Sequence, residues 1–206
     1  MSEVPKPYPP RRIDYLDWNN VADLLNQMRR CLYYVRQIEG GVTIDPETGE
    51  IRLMVAADRG GAVVQVATPF LYGYGVYEYW VEINVHDPET TMFFGFMEEA
   101  PSNADENSII FKAVGGSYSF ETRKDGELTS TSIEGVDLRN KGTIKLNWEP
   151  GRARLYVDGE LKADHTSNVP EVKGVIFAEI YRANPTSNRL EMRVEPLFGM
   201  AKRFGL

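Results

Sequence analysis

The most informative pattern in this sequence is a β-hairpin pattern over Ile144–Val157. The runs Ile144–Trp148 and Ala153–Val157 each alternate apolar and polar residues, and Pro150-Gly151 lies between them. A second turn signal, Asp158-Gly159, follows at once. Short runs of period two that are joined by glycine-bearing turns predict antiparallel strands.

Further candidate strands follow from Val42 onward, and turn signals such as Gly115-Gly116 and Asp125-Gly126 separate several of them. Many strands without interleaved helices predict an all-β fold, a two-sheet jelly-roll sandwich. The predicted strands are Gly49–Ala57, Ala62–Ala67, Gly75–His86, Thr91–Glu98, Ser108–Val114, Ser117–Arg123, Thr143–Glu149, Arg152–Val157, Gly174–Tyr181 and Arg189–Pro196.

The first 41 residues differ from the β-rich remainder, residues 42–206. Residues 1–16 are rich in proline and predict an extended arm. Residues 17–41 predict one N-terminal α-helix over Asp17–Ile38, which Asp17 caps and Gly40-Gly41 ends. Two roles stay open: the helix packs on the β domain, or residues 18–38 join copies into a homo-oligomer. Its apolar residues recur three and four apart, at Trp18, Val21, Leu25, Met28, Leu32 and Val35.

Charge and cysteine content exclude several classes of function. The net charge of -7 disfavours nucleic acid and anionic membranes as partners. A single cysteine, Cys31, allows neither an intrachain disulfide nor a cysteine zinc cluster. His86 and His165 are expected on the surface, and no metal site or cofactor is predicted. Without a signal core or a long apolar run, the chain is expected to be soluble, and cytoplasmic or virion-associated.

Three segments carry a resemblance to a known superfamily. Thr68–Glu78 has an aromatic and glycine strand entry, Met92–Phe96 is a buried strand, and Trp148–Asp158 is a late hairpin. In this order and spacing they resemble the concanavalin A-like lectins and laminarinase-type glucanases, over about residues 43–198. The resemblance implies a sandwich with one concave face, on which members bind or cleave polysaccharide.

The chain departs from the hydrolases of this superfamily where they carry their catalytic groups. Those enzymes have a Glu-x-Asp-x-Glu strand, which sets two carboxylates about 5 Å apart in one cleft. The equivalent region here, Ile109–Arg123, offers Lys112, Glu121 and Arg123 instead. Glu78 and Glu82 are about 13 Å apart along one strand face, too far for a retaining pair. No catalytic residue is therefore assigned.

The strand Gly75–His86 offers a candidate ligand surface. Its polar face carries Trp80 between Glu78 and Glu82, and a tryptophan flanked by carboxylates is suited to stacking on a sugar and accepting hydroxyl hydrogen bonds. Alternatively, Trp80 packs beneath the N-terminal helix. The candidate ligand-binding residues are Trp80, Glu78, Glu82, Glu121 and Arg123.

These observations favour a non-enzymatic, lectin-like binding or structural module with a glycan or protein ligand, which its helix docks or oligomerises. A helical stalk with a jelly-roll head is a layout found in viral and phage assemblies. The alternative is a polysaccharide-active glycoside hydrolase with a divergent carboxylate pair, Glu78 with Glu121. A scaffold without a small ligand is the third interpretation.

Overall fold

A computed structural model describes residues 34–195, except 46, 47, 49, 69, 70 and 99–105. The chain divides into two units between residues 32 and 33, and all described residues belong to the second unit. They form fourteen strands and no helix, so none of them belongs to a helix that could cross a membrane. The strands are β1 (Tyr34–Ile38), β2 (Gly40–Ile44), β3 (Ile51–Val55), β4 (Ala62–Ala67), β5 (Gly75–Ile83), β6 (Thr90–Met97), β7 (Ser108–Val114), β8 (Ser117–Lys124), β9 (Glu127–Ile133), β10 (Gly142–Glu149), β11 (Arg152–Val157), β12 (Glu160–His165), β13 (Val175–Arg182) and β14 (Leu190–Glu195).

The strands form two antiparallel sheets of seven strands each. Sheet A has the order β1-β4-β13-β6-β7-β8-β9, and sheet B has the order β12-β11-β10-β5-β14-β3-β2. Neighbours that are distant in sequence, such as β4 with β13 and β3 with β14, make the connections of a jelly roll. The predicted all-β, two-sheet sandwich is confirmed.

The core lies between the two sheets and is rich in aromatic rings. The Tyr79 ring of sheet B meets the Phe94 ring of sheet A at 4.9 Å, and the Trp148 ring of sheet B meets Phe96 of sheet A at 4.3 Å. Trp148 is buried, and its Nε1 donates to the Pro170 carbonyl at 3.0 Å. Because side chains alternate along a strand, the residues between these core positions point outward from the sandwich.

The hairpin predicted over Ile144–Val157 is confirmed. β10 and β11 pair from Ile144 with Val157 to Glu149 with Arg152. The next turn has two left-handed residues, Asp158 at φ 50° and Gly159 at φ 83°, the pair of angles that a type I′ turn needs. The Asp158 carboxylate also accepts a hydrogen bond from the Thr143 backbone N–H at 2.8 Å, which ties the turn to β10.

The structure corrects the end of the predicted N-terminal helix. Residues 34–38 form β1 and pair with β4, so the helix does not reach Ile38 and the β domain begins before residue 42. Val35 and Ile38 fit a helical spacing, but backbone pairing with a neighbouring strand overrides this local pattern. Glu39, at φ 55°, then carries the chain from β1 in sheet A to β2 in sheet B. The predicted arm, residues 1–16, and the helix over 17–33 lie outside the described residues.

A buried ion pair ties the loops at one end of the sandwich. Arg182 of β13 and Asp87 are both fully buried, and their charged groups lie 3.4 Å apart. The Arg182 guanidinium also donates to Thr90 Oγ1 at 3.2 Å and to the carbonyls of Ala56 and Asn188 at 3.1 and 2.8 Å. One cation thereby holds three separate chain segments.

The Asp87 carboxylate is fully partnered in the same place. It accepts hydrogen bonds from the Thr186 hydroxyl at 2.5 Å, the Asn188 amide at 3.2 Å and the Glu89 backbone N–H at 2.9 Å. Burial alone would raise the pKa of Asp87, but these hydrogen bonds and the charge of Arg182 together lower it. The carboxylate is therefore ionised and structural.

Candidate functional site

The predicted site residues divide between the two outward faces of the sandwich. Glu78, Trp80 and Glu82 alternate with the core residues of β5 in sheet B. Glu121 and Arg123 alternate with core residues of β8 in sheet A. The two groups therefore point to opposite sides of the molecule, and stacked sheets lie about 10 Å apart. Glu78 and Glu121 cannot act as one carboxylate pair on a single bond.

On the outward face of sheet B, Trp80 is exposed but partly covered by a cation. Its side chain is 46% exposed. The alternative that Trp80 packs beneath the N-terminal helix stays a prediction, because that helix lies outside the described residues. Lys141 Nζ lies 4.7 Å from the centre of the indole ring and also pairs with Glu195 at 2.5 Å. The apolar face of Trp80 thus already has a charged partner.

Elsewhere on the outward face of sheet B, neighbouring side chains form ion pairs. Arg193 contacts both Glu82 at 3.8 Å and Glu191 at 2.5 Å, and Lys145 lies over the Tyr156 ring at 4.5 Å. Side chains that satisfy one another leave few groups free for a ligand, as on an ordinary solvated face. Other pairs on this side are Glu50–Arg52, Glu149–Arg154 and Arg152–Asp164.

The outward face of sheet A is built differently, because it carries a second hydrophobic cluster. Residues on a sandwich's outward face normally meet water, yet the five central members of this cluster are at most 8% exposed. They are Ala67, Met97, Ile110, Val175 and Phe177, and Phe93 packs half-buried against them. Sheet A is therefore apolar on both sides over much of its width.

A polar row crosses this face beside the cluster. Five adjacent strands, β4, β13, β6, β7 and β8, each contribute one residue to this row. In that order, and in register, these residues are Gln65, Glu179, Phe93, Lys112 and Ser119. Phe93 places one aromatic ring at the centre of the polar row. Side chains in register on neighbouring strands are close enough to contact one ligand together.

Glu121 lies next to the polar row, and a lysine neutralises it. Its carboxylate is almost fully buried and accepts from Lys112 Nζ at 3.0 Å and from Ser119 Oγ at 3.4 Å. Lys112 Nζ also lies 5.9 Å from the centre of the Phe93 ring. Arg123 is on the same face, two residues further along β8 and partly exposed. Of the five predicted site residues, these two are the ones that the structure brings to this face.

Sequence reasoning missed Glu179 and Gln65, which form the other half of the polar row. Gln65 Nε2 donates to Glu179 Oε2 at 2.5 Å. Burial raises the pKa of Glu179 above its ordinary value, although the hydrogen bond from Gln65 and the charge of Arg36 oppose the change. The signal was present in the sequence: each residue is the one long polar side chain within an apolar run, in Ala62–Ala67 and in Val175–Tyr181.

An exposed aromatic residue lies one step further along the same face. Tyr181 of β13 follows Glu179 by two residues and is 42% exposed. It pairs in register with Thr91 on one side and Val63 on the other. Aromatic rings stack on the apolar faces of pyranoses, while neighbouring carboxyl, amide and ammonium groups bond hydroxyls. We call Tyr181 together with the polar row, which includes Phe93, the aromatic end of sheet A.

The carboxylates of this face are not arranged as a hydrolytic pair. Among the described strands of sheet A, Glu121 and Glu179 are the two that point outward, and three strand spacings separate them. That distance is about 14 Å between backbones. Glu179 also turns toward Gln65, away from Glu121. Glycosidases place the two carboxyl groups about 5 Å or about 6.5–9.5 Å apart.

The two histidines do not belong to this face, and one of them is not on the surface. His165 is buried, against expectation, and both ring nitrogens lie 2.9 Å from a threonine hydroxyl, of Thr122 and of Thr131. Burial lowers the pKa of His165. His86 is half-buried and contacts the Tyr118 hydroxyl at 2.8 Å. Within the described part of the chain, no three potential metal ligands cluster.

Comparisons with known proteins agree with this architecture. No family model matches the chain. A β-glucanase of Paenibacillus macerans is 29% identical over 117 residues, which cover 54% of this chain. The match spans about half, 49%, of the length of that relative.

Solved structures match over a larger share of the chain. A β-glucanase of Bacillus licheniformis superposes with a TM-score of 0.65 at 18% identity, over 80% of this chain and 89% of its own. The laminarinase catalytic domain of Thermotoga maritima gives 0.64 at 10% identity, over 79% and 88%. A β-1,3-1,4-glucanase from a mouse hindgut metagenome gives 0.62 at 17% identity, over 80% and 90%.

The chain therefore has the concanavalin A-like jelly-roll fold, which these glucanases share. At such identities the superpositions establish the fold alone. The expected superfamily resemblance is confirmed at this level, and the fold is one that glycan-active proteins use.

Proposed function

We propose that this chain is a non-enzymatic, lectin-like module that binds glycan at the aromatic end of sheet A. The observation that carries the proposal is the exposed ring of Tyr181 beside a polar row with Phe93 at its centre. Rings supply the stacking surface and the polar row supplies hydrogen bonds to hydroxyls. The outward face of sheet B offers fewer free groups to a ligand, because its charged side chains form ion pairs with one another.

The non-enzymatic part of the proposal rests on carboxylate geometry. Glu121 is buried and tied to Lys112, which leaves it a poor nucleophile or base. Glu179, about 14 Å away across the sheet, has no second carboxylate within reach on the described strands of this face. A glycosidic bond could therefore meet an acid here without the partner that completes hydrolysis.

The second candidate is a polysaccharide-active hydrolase, favoured by the names of the similar proteins and by Glu179. A carboxyl whose pKa burial raises is suited to donate a proton to a leaving oxygen. For this function, the missing base or nucleophile would have to come from outside the described strands. Glu78 and Glu121 cannot form this pair, because they lie on opposite faces of the sandwich.

A role in a larger assembly rests on the sequence alone. The apolar stripe of residues 18–33 is the feature that favours docking or a homo-oligomer. Light scattering of the full chain, beside a chain that lacks residues 1–33, tests this role. A monomer in both samples would contradict it.

Affinity electrophoresis in gels that contain laminarin or barley β-glucan tests the glycan proposal. We expect both gels to retard the wild-type chain. Tyr181→Ala should weaken binding about tenfold, equivalent to about 1.4 kcal/mol. Trp80→Ala is the matched control, since it removes a ring of similar exposure from the opposite face, and it should bind as the wild type does.

The opposite pattern, loss with Trp80→Ala alone, would move the site to sheet B. Failure to bind these two glucans and a broad glycan array would contradict the lectin-like function. Release of reducing sugar from either glucan by the wild type, abolished in Glu179→Gln, would support the hydrolase instead.

A further inference from the structure

The contact between Gln65 and Glu179 leaves one polar atom without a partner. The Gln65 side chain is 1% exposed, and its Nε2 donates to Glu179 Oε2. Its Oε1 is buried and accepts no hydrogen bond from the residues that the structure describes. A buried acceptor that stays unbonded destabilises the folded state, so such an atom in a native protein calls for a physical explanation.

A proton on Glu179 supplies the missing bond. A protonated carboxyl has one O–H donor beside its remaining acceptor oxygen, whereas an ionised carboxylate only accepts. The acid can donate to Gln65 Oε1 while Gln65 Nε2 donates back to the other carboxyl oxygen. Both buried amide groups are then satisfied by a single partner.

A neutral Glu179 is favoured in either orientation of the Gln65 amide, whose oxygen and nitrogen are told apart by the surrounding hydrogen bonds. If the two ends of the Gln65 amide are exchanged, an amide oxygen faces a carboxyl oxygen at 2.5 Å. Two acceptors at that distance need a proton between them. Either orientation therefore favours the neutral acid.

We propose that Glu179 is a neutral carboxylic acid in a reciprocal pair with Gln65, and that this proton makes the proposed glycan site selective for pH. The second part rests on the proposed function. While Glu179 is neutral, a ligand can cover its carboxyl group at little cost in desolvation free energy. On losing its proton, Glu179 places a partly buried negative charge beneath the ligand, and covering that charge costs more free energy.

The surrounding groups are consistent with a neutral acid. Arg36 of β1 is the cation that acts on Glu179 across β4, and its attraction opposes protonation. Lys112 lies two strands away on β7 and is already paired with Glu121. Phe93 on the adjacent β6 is apolar, and Tyr181 follows Glu179 on β13. Burial outweighs Arg36 and raises the pKa of Glu179.

Infrared difference spectroscopy of the full chain measures the proton directly. At about pH 5.5 an ordinary glutamic acid is roughly nine-tenths ionised. We expect wild type to retain one protonated-carboxyl band there, which Glu179→Gln removes and Glu121→Gln leaves in place. A spectrum without that band, or a band that Glu121→Gln removes, would overturn the proposal.

A second variant tests the reciprocal pair and does not depend on how Glu179→Gln folds. Gln65→Leu removes the amide oxygen that accepts the proton in the reciprocal pair. The protonated-carboxyl band should therefore move to higher frequency, because the acid has lost its hydrogen-bond acceptor. A band at unchanged frequency would overturn the reciprocal pair.

The ligand part is tested with laminarin over a series of pH values. We expect wild-type affinity to fall about tenfold as the band disappears. Glu179→Gln cannot ionise at this position, so its affinity, whatever its value, should show no such fall with pH. A retained band without any laminarin binding contradicts the proposed function and leaves the pair intact. Binding that ignores the loss of the band overturns the selectivity for pH.

Discussion

The two outward faces of this sandwich come from strands with the same alternating pattern, yet they differ in chemistry. On sheet B, charged side chains pair with close neighbours, as Arg152 does with Asp164. On sheet A, the outward positions hold buried apolar side chains such as Phe177 and a short polar row. Alternation therefore separates core from exterior, but it does not distinguish a solvated exterior from an apolar, buried one.

The largest expected effect is on stability, at an outward position of sheet A. Phe177 is 1% exposed, so Phe177→Ala should cost about 3–5 kcal/mol of unfolding free energy. Tyr156→Ala, at an outward position of sheet B, should cost less than about 1 kcal/mol. Urea unfolding of both variants measures the contrast. Equal losses would mean that the two faces are alike.

The ion pairs of the two faces should differ by a smaller amount. Glu121→Gln leaves Lys112 without its partner at a largely buried site and should cost about 1–2 kcal/mol. Glu195→Gln breaks the more exposed pair with Lys141 and should cost about 0–1 kcal/mol. Unfolding in about 1 M salt should abolish the smaller loss and keep most of the larger one. The reverse order would remove this distinction between the faces.

The smallest expected effect is on how stability depends on pH, which should have opposite signs on the two faces. The hydrogen bonds from Arg152 lower the pKa of Asp164 on sheet B, so its stabilisation is present above pH 3.8 and is lost as pH falls below it. The raised pKa of Glu179 on sheet A acts oppositely, because stability is lost as pH rises above 4.5. Asp164→Asn should flatten the acid side of the stability profile, and Glu179→Gln the side above pH 4.5. Profiles that shift in the same direction would contradict this contrast.

Much of the fold could be predicted because strands that bury one face alternate. The β10–β11 hairpin and the outward position of Trp80 on β5 follow directly from that pattern. β2, β9 and β12 are absent from the predicted strands. All three lie at sheet edges, where few side chains are buried, and the sequences of β9 and β12 are mostly polar. The sequence of β1 predicts helix because its apolar residues Val35 and Ile38 continue a spacing of three and four residues, which short strands can also contain.

The candidate site could be predicted only in part. Local alternation places Glu78 and Glu121 outward, but which sheet each strand joins depends on long-range pairing, and this placed them on opposite faces. The Gln65–Glu179 contact joins residues 114 positions apart, and no local pattern encodes it. A lone polar residue in an apolar strand was the available signal.

The Arg182–Asp87 pair has a mechanical consequence. Since one guanidinium clasps the segments at Ala56, Thr90 and Asn188, these loops cannot loosen independently. Amide hydrogen exchange there should occur in a single cooperative opening event, and Arg182→Met should release all three segments together. That end of the domain should therefore open as one cooperative unit, with all three segments losing their protection together.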